Sequence, residues 1–122
     1  MKKIGILPCS GACNVGMLST KTVVQTLDER ENTDFVCALG LPLGIEGIIH
    51  QGKSSDGYIA LNGCPVKCAS KALKSADIPV DKEIVITERY GIKKNKNLNS
   101  EEKLEDIIAE VKRMVDEMQK DS

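Results

Sequence analysis

The chain has 122 residues, the size of one domain that can bury a core without disulfides or metals. Its formal net charge is −1, and its aromatic residues are one Phe and two Tyr. Nucleic-acid binding, which usually needs a basic excess and often aromatic stacking surfaces, is therefore disfavoured. No apolar run approaches the roughly 20 residues that span a bilayer. We therefore predict a cytoplasmic protein without nucleic-acid or membrane partners.

In the first half of the chain, short apolar runs alternate with segments whose apolar residues recur at helical spacing. Residues 3–8 predict a first strand, which ends at a loop of small residues. Apolar positions within 15–30 have helical spacing, and Asn14 can cap that helix. Residues 34–39 predict a second strand. A segment rich in glycine follows, and then a short helix over 45–51.

The second half continues the same alternation, with strands predicted over 58–61 and 83–87. Between them, Pro65 suits the first position of a helix, where its missing N–H costs nothing. The last helix has the clearest apolar spacing in the chain. Asn99 and Glu102 are spaced as a capping pair at its start.

Four repeats of strand and helix predict a three-layer α/β sandwich around a four-stranded parallel sheet, of the flavodoxin- or Rossmann-like kind. We predict one domain over residues 1–122, with its core in 4–95 and a C-terminal helix over 100–119. Functional groups in such sheets collect at the carboxyl ends of the strands. The strand order 2-1-3-4 is favoured because it places the end of strand one about 4.8 Å from the ends of both strand two and strand three.

Four of the five cysteines fall at that carboxyl rim. Cys9 follows the first predicted strand, Cys37 lies near the end of the second, and Cys64 and Cys68 follow the third. An odd number of cysteines in a reducing compartment favours metal or thiol chemistry over disulfides. Zinc binds sets of four thiolates well. The sequence therefore predicts a zinc site made of Cys9, Cys37, Cys64 and Cys68, with Cys13 as an alternate ligand.

Other chemistry fits the same thiols. Cys9 with Cys13, and Cys64 with Cys68, form two C-x3-C pairs, which also fit a redox protein or one that senses or transfers soft metals or metalloids. Four cysteines can also hold an iron–sulfur cluster. A closed four-thiolate zinc site is structural, whereas three cysteines plus water imply reactivity, so the sequence leaves enzyme activity open. A homo-oligomer that shares the apolar stripe of the last helix is also compatible.

Several segments resemble the DGC-domain family, which comprises small prokaryotic proteins described as zinc-binding. The resemblance covers about residues 4–95 and is carried by residues 9–16, 37–40, 62–69, 87–88 and 91–94. It implies that the metal ligands are Cys9, Cys37, Cys64 and Cys68. The family need not have a cysteine at the position of Cys13, so the resemblance favours Cys13 less as an essential ligand.

The Asp-Gly-Cys signature of that family is Asn62-Gly63-Cys64 in this chain. An amide therefore stands where the family has a carboxylate, which removes a candidate acid, base or charge beside the metal. The Asn62 amide can still hydrogen-bond a ligand thiolate or hold the turn.

Overall fold

Helices and strands alternate along residues 1–120, which are the residues that the computed structural model describes. In chain order they are β1 (Ile4–Pro8), α1 (Asn14–Glu29), β2 (Thr33–Phe35), α2 (Glu46–Gly52), β3 (Gly57–Asn62), α3 (Cys68–Ser75), β4 (Lys82–Val85), α4 (Ile86–Tyr90) and α5 (Leu104–Lys120). The strands form one parallel sheet in the order β2-β1-β3-β4, which confirms the predicted sheet and strand order. The last two residues of the predicted domain, 121–122, lie outside the described residues.

The sheet is the middle layer of three. Ile6 and Leu7 are consecutive in β1 and therefore point to opposite faces, yet both are fully buried. Ile6 packs in a core with Leu18 of α1 and Val111 of α5, whereas Leu7 packs with Leu73 of α3 and with apolar residues of α2. Burial on both faces is what a parallel strand covered by helices requires. The predicted three-layer sandwich is confirmed.

The register brings the carboxyl ends of β1 and β3 level with each other, because Pro8 pairs with Leu61. The second strand is shorter than predicted, ending at residue 35 rather than at 39. The Val36 N–H still donates to the Ile6 carbonyl at 2.9 Å, and the chain then turns through a segment that contains Gly40. A side chain at position 40 would collide with α2, so this turn packs closely on the helix instead of continuing the strand.

The helix after β3 begins at Cys68, so the prediction that Pro65 occupies its first position is wrong. Lys67 has a left-handed backbone (φ 59°, ψ 46°), which no right-handed helix can contain. The Lys67 N–H donates to the Cys64 carbonyl at 3.1 Å, closing a tight turn over residues 64–67. The chain therefore presents Cys64 on a turn and Cys68 on the first residue of a helix.

Two further boundaries differ from the sequence-based expectation. The fourth strand ends at Val85, and residues 86–90 form the short helix α4 instead of extending the predicted strand 83–87. Lys103 is left-handed (φ 56°), so α5 begins at Leu104, beyond the predicted capping pair of Asn99 and Glu102. In both places the backbone changes direction to pack a helix on the sheet.

An ionic contact between a buried carboxylate and a half-exposed arginine joins α4 to α5. The Glu110 side chain is buried and accepts hydrogen bonds from Arg89 and Tyr90. Burial would raise the pKa of Glu110, but the hydrogen bonds from Arg89 and Tyr90 outweigh it and hold this pKa below its usual value. Burial and the bond to Glu110 raise the pKa of Tyr90. The contact holds α5 against the end of the sheet.

Across residues 1–120, no helix combines the length and apolar character that a membrane-crossing segment needs.

Candidate functional site

Four cysteines lie in the segments that follow the carboxyl ends of β1, β2 and β3. Cys9 directly follows β1, and its N–H donates to the Leu61 carbonyl at 3.1 Å, which continues the bonding between β1 and β3. Cys37 lies two residues beyond β2, and Cys64 lies two residues beyond β3. Cys68 is the first residue of α3. Because β1 lies between β2 and β3, three separate chain segments deliver these thiols to one rim.

Three of the thiols line a single open cavity of about 610 Å³. Cys37 and Cys68 are exposed, and Cys9 is half-buried. Most of the remaining wall is apolar, and Lys71 adds a positive charge; the other lining residues are Ser10, Phe35, Ala38, Leu39, Pro42 and Ala72. Soft, polarisable sulfur atoms and an apolar wall suit a soft metal or another thiol-seeking ligand better than a strongly hydrated one.

Cys64 lies beside this cavity rather than in its wall. It is half-buried and packs against the core on the α1 side of the sheet. Its neighbour Gly63 touches the first cysteine, since a Cβ at position 63 would lie 3.2 Å from the Cys9 sulfur and about as close to Val15. The absence of a side chain at Gly63 therefore lets the Cys9 loop and the Cys64 turn approach each other.

The thiols are near one another without being arranged as a closed metal site. Within residues 1–120, no three His, Cys, Asp or Glu side chains are positioned to hold a metal ion. Tetrahedral zinc needs its sulfurs roughly 3.8 Å apart. The four thiols match the chemistry of zinc, and they lie on loops, on a turn and at the first residue of α3. The sulfurs of Cys9, Cys37 and Cys68, which line one cavity, would have to come to this spacing to share an ion.

Cys13 has a different environment from the other four. It is 7 % exposed, packs in the core on the α1 face and occupies the N-cap position of α1. Its sulfur accepts the Gly16 N–H at 3.4 Å. The expectation that Asn14 caps this helix is therefore wrong, because the cap is one residue earlier and is a thiol.

Asn62, at the signature position, is fully buried at the end of β3. Its Oδ1 accepts the Ser70 N–H at 3.2 Å, and its Nδ2 donates to the Ser70 hydroxyl at 2.9 Å. Lys67, the N-cap residue of α3, makes no side-chain cap bond, so Asn62 supplies the acceptor that the first turn lacks. Of the two roles expected for this amide, holding the turn is the one that these bonds perform.

Ser70 also links this buried hydrogen bonding to the surface. The Ser70 hydroxyl donates to Glu83 at 2.6 Å, and Lys67 forms an ion pair with Glu83 at 3.0 Å. These contacts with Ser70 and then Lys67 lower the pKa of Glu83. The turn between Cys64 and Cys68 is thereby fixed by Asn62 inside the protein and by Glu83 at the surface.

Replacing Asn62 with leucine is expected to lower the free energy of unfolding by about 1–3 kcal/mol, because the buried Ser70 N–H loses its acceptor. Chemical denaturation monitored by circular dichroism measures the change. Asn99→Leu, at an exposed amide, is the control and should shift stability by less than about 0.5 kcal/mol. Equal stability of the two variants would show that the Asn62 bonds contribute nothing.

Two side chains that contact the thiols were not predicted as site residues from the sequence. The fully buried Ser19 of α1 lies 3.7 Å from the Cys9 sulfur, and the Lys94 ammonium lies 3.7 Å from the Cys64 sulfur. Ser19 is one of several small polar residues in its helix, and Lys94 is one of three lysines in the polar segment 91–99. Only their placement in space distinguishes them.

The fold and the rim together define a class of protein: a parallel α/β sandwich with free thiols on the loops at the carboxyl ends of its strands. The family model of the DGC domain matches residues 5–115. The chain belongs to the DGC-domain family, and the resemblance predicted from its motifs is confirmed. The match continues past residue 95 into α5.

A curated relative is the anaerobic and virulence modulator AnvM of Pseudomonas aeruginosa, which is 23% identical over 111 residues. The aligned part covers 90% of this chain and 83% of AnvM. No solved structure matches the chain.

Proposed function

We propose that this DGC-domain protein binds zinc through Cys9, Cys37, Cys64 and Cys68 in a structural or metal-handling role. The observation that supports it most is the shared cavity of Cys9, Cys37 and Cys68, beside which the Cys64 turn contacts the Cys9 loop through Gly63. Zinc would supply a divalent charge that holds several thiolates together. Lys71 in the cavity wall and Lys94 at Cys64 would offset part of the resulting negative charge.

The exposure of the thiols favours metal handling over a purely structural role. A structural zinc site is closed by its four ligands, but Cys37 and Cys68 are open to solvent here. Loops that must close around an ion can also open to release it. The relative AnvM is named as a modulator, a name that agrees with a sensing or handling role. The cytoplasm, which is the location predicted from the sequence, would keep these thiols reduced and available for a metal.

A second candidate is thiol-based redox chemistry or the binding of a soft metal or metalloid. It is favoured by two exposed thiols, Cys37 and Cys68, that face one largely apolar cavity. An iron–sulfur cluster would use the same four cysteines as zinc. These candidates differ in the metal found and in how fast the thiols react.

Metal analysis of reduced protein purified without added metal, combined with thiol titration, tests the proposal. We expect one zinc per chain and four thiols that react quickly only after a chelator is added, with buried Cys13 slow in both conditions. Protein that stays metal-free after incubation with zinc, and whose four rim thiols react at once, would overturn the zinc proposal in favour of thiol chemistry. Brown protein with charge-transfer absorption would instead identify an iron–sulfur cluster.

A further inference from the structure

Residues 91–97, here called the strap, lie beside the loops that follow β1 and β3. The strap has no regular secondary structure, and within it only Ile92 is buried. The Lys94 ammonium donates to the Cys64 sulfur at 3.7 Å, and the Lys96 ammonium donates to the Ala12 carbonyl at 3.4 Å. Two exposed lysines of one segment thus have different partners, one a thiol and the other a backbone carbonyl.

Asn14 fixes the path of the strap on both sides of Lys94. This residue is fully buried in the first turn of α1. Its Nδ2 donates to the Lys93 carbonyl at 2.8 Å, and its Oδ1 accepts the Asn95 N–H at 2.7 Å. Its own N–H donates to the Asn95 carbonyl at 2.9 Å. Moving the strap away would leave both the donor and the acceptor of the buried Asn14 amide without hydrogen-bond partners, which costs free energy. The backbone around Lys94 is therefore held in place.

We propose that Asn14 is a positioning residue for Lys94, and that Lys94 makes Cys64 the rim thiol that selects negatively charged reactants and ligands. Within residues 1–120, Cys64 is the cysteine whose sulfur accepts a hydrogen bond from an ammonium. The inference deepens the proposed metal site, because a positive charge at one sulfur favours delivery of a soft metal by an anionic carrier, such as a carboxylate or thiolate chelate. The preference of Cys64 for negatively charged reactants is a property of the metal-free protein, so it can be measured without zinc.

The test compares two alkylating reagents on reduced, metal-free protein at one pH and low ionic strength. In both reactions the Cys64 thiolate displaces iodide from carbon, but iodoacetate is an anion and iodoacetamide is neutral. Their rate ratio at Cys64, read by peptide mass spectrometry, is independent of the thiolate fraction because both reagents use the same thiolate. We expect Lys94→Met to lower this ratio about fivefold, the effect of one unit charge a few ångströms away in water.

The matched control is Lys96→Met, which removes the same charge from the same strap and should change the ratio less than twofold. Asn14→Ala changes no charge, yet it frees Lys94 and should lower the ratio nearly as much as Lys94→Met. If that variant does not fold, hydrogen exchange of the wild-type protein tests the clamp, since the Asn95 amide should be protected despite its exposed segment. An unprotected Asn95 amide would overturn the role of Asn14.

An unchanged ratio in Lys94→Met would overturn the role of Lys94, whether or not the protein binds zinc. A lowered ratio in a protein that takes up no zinc would leave this inference standing and remove only the proposed metal function. Added salt should also reduce the wild-type ratio, because it screens an exposed charge. The two proposals therefore fail on different measurements.

Discussion

Cys9→Ser is expected to lower the affinity for zinc by more than 100-fold. Losing a residue that only hydrogen-bonds a metal ligand already lowers metal affinity by roughly 10–100-fold. Here the ligand itself is lost, and a serine hydroxyl is neither ionised at neutral pH nor a soft donor. Cys9 is central, because it follows β1, which lies between β2 and β3, and because its sulfur lies close to Gly63, just before the Cys64 turn. Competition with a chromophoric chelator measures the affinity. Cys37→Ser, Cys64→Ser and Cys68→Ser should each cause a loss of the same order.

Cys13→Ser is the matched control for these variants. A serine oxygen can accept the Gly16 N–H that the Cys13 sulfur accepts now, and serine is among the preferred N-cap residues. The variant should therefore fold and keep its zinc affinity within a few fold of the wild type. Loss of zinc from Cys13→Ser, with zinc retained by Cys9→Ser, would show that the ligand set has been assigned wrongly.

Gly16→Ala is expected to lower the free energy of unfolding by about 3 kcal/mol. A Cβ at position 16 would lie 2.1 Å from the Gly11 carbonyl oxygen and 2.6 Å from the Gly11 nitrogen. Both are backbone atoms, so the collision can be relieved only by moving the loop between β1 and α1. Alanine favours a helix over glycine by about 1 kcal/mol, which is too little to offset such a displacement. Denaturant unfolding measures the difference.

Gly11→Ala, in the same loop, is the control for this prediction. A Cβ at position 11 has no neighbouring atom within 4 Å, so stability should change by less than about 0.5 kcal/mol. Because the loop carries Cys9, Gly16→Ala should also weaken zinc binding, whereas Gly11→Ala should not. Wild-type stability of Gly16→Ala would mean that the loop does not pack on the helix at this point.

The topology was predictable because independent signals in the chain agree. Alternating strand and helix patterns require parallel strands joined by crossovers. The order 2-1-3-4 is favoured over 3-2-1 if Cys9, Cys37 and Cys64 are to meet, and the sheet has that order. The boundaries were less predictable. Nothing local about Lys67 demands a left-handed backbone, and the acceptor for the first turn of α3 comes from Asn62 on a neighbouring strand.

The amino-acid sequence alone determined the α/β class, the family and the placement of four thiols at the carboxyl ends of strands, because periodicity, motifs and chain order are local properties. The tertiary structure alone decided which thiols share a cavity, that Cys13 caps α1, and that Lys94 meets Cys64. These features depend on contacts between segments far apart in the chain, such as the Asn14 bonds to residues 93–95. A packed side chain is positioned by neighbours that no local pattern encodes.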